Sequence, residues 1–137
     1  MTSVRFLDEE QTYAAATIGQ CADALEEALR AGLPGEPDPA RIFVDLPPGE
    51  LLLMPSRVTG TPTVKLVTIH HDADRPDPRI KGVHVVFDPV SLAPTVVMDA
   101  AALTVTRTTA VSIVALRAIA PADSDTLVVF GAGPQAR

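Results

Sequence analysis

Apolar and polar positions along the chain fall into distinct regimes. From Thr17 to Gly32 the apolar residues recur at helical spacing, with Ile18, Cys21, Ala22, Leu25, Ala28 and Leu29 on one stripe. Thr17 and Gln20 form a capping box at its start, and Gly32 stands where a left-handed cap is wanted. Ahead of this helix, Val4 to Leu7 reads as a short strand, and the acidic residues of "DEEQ" suit the first turn of another helix. The stretch "GLPGEPDPA" is a loop, because its prolines remove donors and restrict their neighbours. Beyond it the pattern becomes extended. "RIFVDL", "ELLLMPS" and "TPTVKLVTIH", rich in branched residues and separated by Pro or Gly, predict consecutive strands. "HHDADRPDPR" is a polar loop, after which "IKGVHVVFD" and "TVVMD" flank "PVSLAP" as a hairpin. From Asp99, a plausible N-cap, "AAALTVTRTTAVSIVALRAIA" predicts one long helix that Pro121 stops. Apolar residues occupy nearly every face of it, which predicts burial on most sides. "ADSD" then turns into a strand, "TLVVF", and a glycine turn, "GAGPQA".

The predicted order is that of an α+β domain, a mixed sheet with flanking helices. At 137 residues there is room for one hydrophobic core. A hydrophobic content of 47 % and a mean hydropathy of +0.24 are those of a folded chain rather than a disordered one. No apolar run is expected to approach the roughly 20 residues of a bilayer span, and the start "MTSVRFLDEEQ" lacks the pattern of a secretory signal. The single cysteine, Cys21, excludes an internal disulfide and suits a reducing cytoplasm. With a net charge of -6 and scattered basic residues, nucleic acid is not expected as a partner.

Scattered cations inside apolar stretches are the candidate chemistry. Arg107 lies mid-helix, with Thr104 three residues before it and Thr108 beside it; such an arginine either snorkels to water or is held inside by an anion. Lys65 sits within "TVKLVTI" and Arg41 opens "RIFVDL". Taken together, the three could clamp one carboxylate, Arg as a fork and Lys as a point charge. "HHDAD" invites a metal reading, but adjacent histidines in a strand point to opposite faces, and neither His84 nor Cys21 completes a zinc spacing; no metal site is expected. The closing "TLVVFGAGPQA" reads as G-x-G-x-x-A after a strand: Gly131 for the tight turn, Gly133 for backbone approach to a pyrophosphate, Ala136 for close helix packing.

Several segments in order, "FLDEEQ", "DALEEALRAG", "GELLLMPS", "VKLVTI", "VVFD", "LTVTRTTAVSIVA" and "VVFGAGPQA", resemble the amino-terminal part of the ornithine cyclodeaminase/mu-crystallin family. The resemblance implies a two-domain NAD(P)-dependent protein. Residues 1–123 correspond to a substrate-binding domain that pairs with its twin in a homodimer, and residues 124–137 to the first strand and glycine turn of a Rossmann domain. It implies a small amino or imino acid as substrate, with its carboxylate held by Arg41, Lys65 and Arg107. It also implies cofactor contacts at Arg107, Gly131, Gly133, Pro134 and Gln135. The family's catalytic aspartate belongs to the Rossmann domain and corresponds to no residue here, so this chain alone is expected not to transfer hydride. Two positions depart from the pattern: Leu52 stands where some members carry a glutamate, and Arg79 where many have a Ser or Thr that touches the cofactor. Alternatives are a mu-crystallin-like holder of a small ligand and reduced nicotinamide, or a dimerisation unit without activity.

Overall fold

The computed structural model describes residues 3–32, 37–57 and 60–136. Its elements are β1 (Arg5–Leu7), α1 (Glu9–Ala15), α2 (Ile18–Ala31), β2 (Ile42–Leu46), β3 (Gly49–Ser56), β4 (Thr63–His70), β5 (Ile80–Phe87), β6 (Pro94–Asp99) and α3 (Ala100–Ile119). A single 3-10 turn, Pro134–Ala136, follows. Residues 33–36 of the proline-rich loop lie outside the described residues.

All six strands join one mixed sheet in the order β1-β6-β5-β4-β3-β2, with β1 parallel to β6 and the other pairs antiparallel. Strand alternation then divides the side chains between two faces. On β3 and β4 it sends Leu52, Met54, Lys65, Val67 and Ile69 to one face, where Leu52, Val67 and Ala100 of α3 form the core and Met54 and Ile69 pack against it. Helix α3 lies over β4, β5 and β6 and is flanked by α1 and α2. Gly82 makes the β4–β5 pairing possible, because a Cβ there would collide with the carbonyl oxygen of Leu66. Capping follows the sequence signals. Asp8 and Thr17 complete capping boxes, Asp99 accepts from the Ala102 amide at 2.7 Å, and Gly32 takes φ 86° at the end of α2.

Three expectations need correction. Helix α3 is buried along one stripe, Ala100, Ala102, Thr106 and Ala110, while Val111 and Leu116 are exposed and Ile119 is 78 % exposed. A helix with apolar residues all round is covered only where something packs on it, and in this chain α2 and the sheet meet one side. At 20 residues, with a stretch of mean hydropathy 1.3, α3 also has the length and composition of a membrane span, contrary to the expectation that no run approaches one. Here it is capped by Asp99 and packed on the sheet. Finally, the strand expected at "TLVVF" is not formed; that segment pairs with no strand, and Phe130 is 96 % exposed. A strand needs neighbours for its backbone N–H and C=O groups, and no strand among the described residues lies alongside.

Candidate functional site

Lys65 occupies the middle of the helix-covered face. Its register partners are Met54 on β3 and His84 on β5, and the ammonium donates to Thr104 Oγ1 at 2.7 Å. The Thr104 hydroxyl in turn donates to the Ala100 carbonyl at 2.6 Å, a bond to the preceding turn that fixes its rotamer. Thr104 is thereby an anchored acceptor that holds Lys65 between sheet and helix, with its other N–H groups unassigned to any acceptor among the described residues.

The two arginines expected to join it arrive from different directions. Arg41 immediately precedes β2, two strands away, and shares the strand parity of Phe43, whose partner is Leu52 on the helix-covered face. Arg107 lies on α3 nearly one turn after Thr104. Both are exposed, so of the two readings open for Arg107 the structure selects the one in which its guanidinium reaches water. All three charges are nonetheless felt at one point. Burial, and then repulsion from Arg107 and Arg41, holds the pKa of Lys65 below its ordinary 10.5. Among the described residues neither Arg41 nor Arg107 has an ion-paired or hydrogen-bonded partner. In a chain of net charge -6, a lysine repelled by two arginines with no carboxylate partner is an arrangement that an anion would relieve.

The glycine turn lies against the same helix. Thr109, two residues beyond Arg107, donates from Oγ1 to the Gln135 carbonyl at 3.5 Å, and the Ala136 amide closes the turn on the Gly133 carbonyl at 3.0 Å. Gly131 takes φ 100°, a conformation that favours glycine, and a Cβ at Gly131 or Gly133 would meet nothing within 4 Å. That open, exposed backbone suits close approach by a pyrophosphate.

Other residues are placed elsewhere. Leu52 is 8 % exposed and belongs to the core, so the position offers no polar contact. Arg79 lies roughly 16 Å along β4 from Lys65, judged from the strand rise, where its Nε donates to the His70 carbonyl at 3.0 Å. It lines a groove with Gly49, Glu50, His70 and Arg75. His70 Nδ1 accepts from the Asp72 amide, and no group of His, Cys, Asp or Glu among the described residues is arranged to hold a metal ion. Cys21 is half-buried on α2. Sequence reasoning passed over one residue that the structure brings to the site. In the sequence His84 carries no signal beyond an incomplete zinc spacing, and strand pairing is what sets it directly opposite Lys65.

Residues 4–137 match the ornithine cyclodeaminase/mu-crystallin family. An alanine dehydrogenase from Archaeoglobus fulgidus is 27 % identical over 132 residues, covering 95 % of this chain and 41 % of the relative. Among solved structures, an archaeal alanine dehydrogenase dimer with bound NAD superposes with a TM-score of 0.81 at 25 % identity, over 97 % of this chain and 42 % of its own. A lysine cyclodeaminase gives 0.69 at 28 % identity, over 98 % and 44 %. The Δ1-pyrroline-2-carboxylate reductase of Thermococcus litoralis, solved with NADH and L-proline, shares the fold with a TM-score of 0.80 at 24 % identity, over 97 % and 43 %. The chain thus spans less than half the length of these relatives and corresponds to their amino-terminal part. On the family match and the shared α+β architecture, this chain belongs to the ornithine cyclodeaminase/mu-crystallin family.

Proposed function

We propose that this chain is the substrate-binding part of an NAD(P)-dependent oxidoreductase or cyclodeaminase acting on a small amino or imino acid, with Arg41, Lys65 and Arg107 holding the substrate carboxylate. The observation that carries this reading is a part-buried Lys65 repelled by both Arg107 and Arg41, with no carboxylate partner for any of the three among the described residues. Two exposed guanidinium forks and one part-buried ammonium can grip both oxygens of a carboxylate and fix its plane. Holding that group orients the neighbouring α-carbon, and orientation of this kind lowers a bimolecular barrier by several kcal/mol. A bound nicotinamide would supply the hydride chemistry at that carbon. Gly131, Gly133, Pro134 and Gln135 are the part of its site carried here, and Arg107 lies between turn and carboxylate on α3.

The same reading gives the uncovered sheet face a role. Ile42, Val44, Leu46, Leu51, Leu53, Val64, Leu66, Val83, Val85 and Val97 share it by register, and no helix among the described residues packs on it. An apolar face of this extent fits a second copy of the chain.

Calorimetric titration with L-proline, and with pyrrolidine as the same ring without its carboxylate, tests the proposal. L-Proline binds and pyrrolidine does not, and Lys65→Met lowers the L-proline affinity about 10-fold or more, the scale of one charge-assisted hydrogen bond. Equal binding of both compounds, or an unchanged affinity in Lys65→Met, would overturn it.

A further inference from the structure

Lys65 has two different flanks. On the β3 side lies Met54, and beyond it the strand from which Arg41 approaches; on the β5 side lies His84. A carboxylate shared by Arg41 and Lys65 would lie to the β3 side of Lys65, with the imidazole on its other side. His84 is half-buried between the sheet and α3, with Met98 of β6 as its other neighbour, and its Nδ1 is buried without a hydrogen-bond partner. Thr108, one turn after Thr104 on α3, likewise has a buried hydroxyl oxygen without a partner. A polar atom sealed from water and left unpaired is costly, and such groups in a folded chain call for an explanation.

The charged group that faces His84 directly is a cation. Lys65 faces it from β4, and Arg107 of α3 and Arg41 act on Lys65 in turn. Asp99, at the end of β6, is engaged by the Ala102 amide as the cap of α3. At a half-buried position whose strand partners are Lys65 and Met98, an imidazole adds little to packing, whereas a titratable group directly beside a ligand-binding cation gains a function.

We propose that His84 is a positioning residue for Lys65: a neutral imidazole that backs the ammonium while the site is empty and takes up a proton from solvent when a carboxylate binds in front of it. The inference rests on the carboxylate reading given above. Without an anion, burial and the Lys65 charge keep His84 below its ordinary pKa of 6.5. A bound carboxylate cancels that repulsion, so binding and protonation favour one another, and the ligand binds more tightly as pH falls through the range in which His84 titrates. Proton uptake lets the site add positive charge only when there is negative charge to balance it.

The experiment is an NMR titration of the whole chain, following the imidazole nitrogens of His84 and the side-chain resonances of Lys65 and Arg107. Sodium acetate is the probe, and sodium chloride at equal ionic strength the control. Acetate raises the midpoint of the His84 titration by about 0.5 pH or more, and chloride does not. In Lys65→Met acetate no longer moves that midpoint. In His84→Gln, and in His84→Val should the first variant fold poorly, acetate still binds but the affinity for its ionised form no longer rises as pH falls below 6.5. If acetate shifts the Lys65 and Arg107 resonances while the His84 midpoint stays in place, the inference is wrong and the carboxylate reading stands. If none of the three responds, the carboxylate reading fails and takes the inference with it.

Discussion

Lys65 answers to two opposing demands. Folding removes it from water and sets it near two guanidinium groups, which disfavours its charge; binding an anion requires that charge. Lys65→Met should therefore leave stability unchanged or raise it by no more than about 1 kcal/mol after solvent screening, while abolishing most carboxylate binding. Thermal unfolding alongside titration calorimetry separates the two effects. Thr104→Val acts differently, because the variant removes the acceptor at 2.7 Å and leaves the ammonium unanchored, so both stability and affinity should fall, each by about 1 kcal/mol. His84 imposes a pH dependence of definite sign. Its folded midpoint lies below 6.5, so on acidification the unfolded chain takes the proton first and stability declines as pH drops through 6.5 towards the folded midpoint. Chemical denaturation at a series of pH values should show that decline in the parent protein and a flatter profile in His84→Gln.

At the scale of elements, the local signals predicted what formed locally. The capping boxes at Asp8 and Thr17, the Asp99 cap and the turn at Asp88 between β5 and β6 all satisfy backbone donors within a few residues, so they can be read from sequence. The strand at "TLVVF" could not, because branched residues favour extended backbone only where other strands accept its hydrogen bonds. Long-range packing decides Gly82 as well. Its neighbour across the ladder leaves no room for a methyl group, so Gly82→Ala should cost about 1–3 kcal/mol by denaturant unfolding, whereas a substitution at open Gly133 that tolerates its backbone should cost far less. Equal losses at the two glycines would show that the β4–β5 approach is not limiting.

At the scale of the whole molecule, the apolar inventory exceeds what one copy of the chain can bury. Phe43 is 61 % exposed on the edge strand β2, no helix among the described residues covers the second sheet face, and the far end of α3 and the segment before the glycine turn are open. If the sheet face is the seat of a second copy, Leu66→Lys at its centre should convert a dimer to a monomer in sedimentation velocity without disturbing the Lys65 side of the sheet; a dimer that persists would place the interface elsewhere. By itself the sequence determined the periodic elements, their caps, the three isolated cations and the segments that place the chain in its family, because each of these is written in residues close together or in an ordered motif. Only the tertiary structure decided which residues meet. Arg41, Lys65 and Arg107 are separated along the chain; Arg41 comes within electrostatic reach of Lys65 because β2, β3 and β4 are adjacent, and Arg107 because α3 lies over β4. His84 joins Lys65 through strand register alone, since a shift of one residue would turn it to the opposite face.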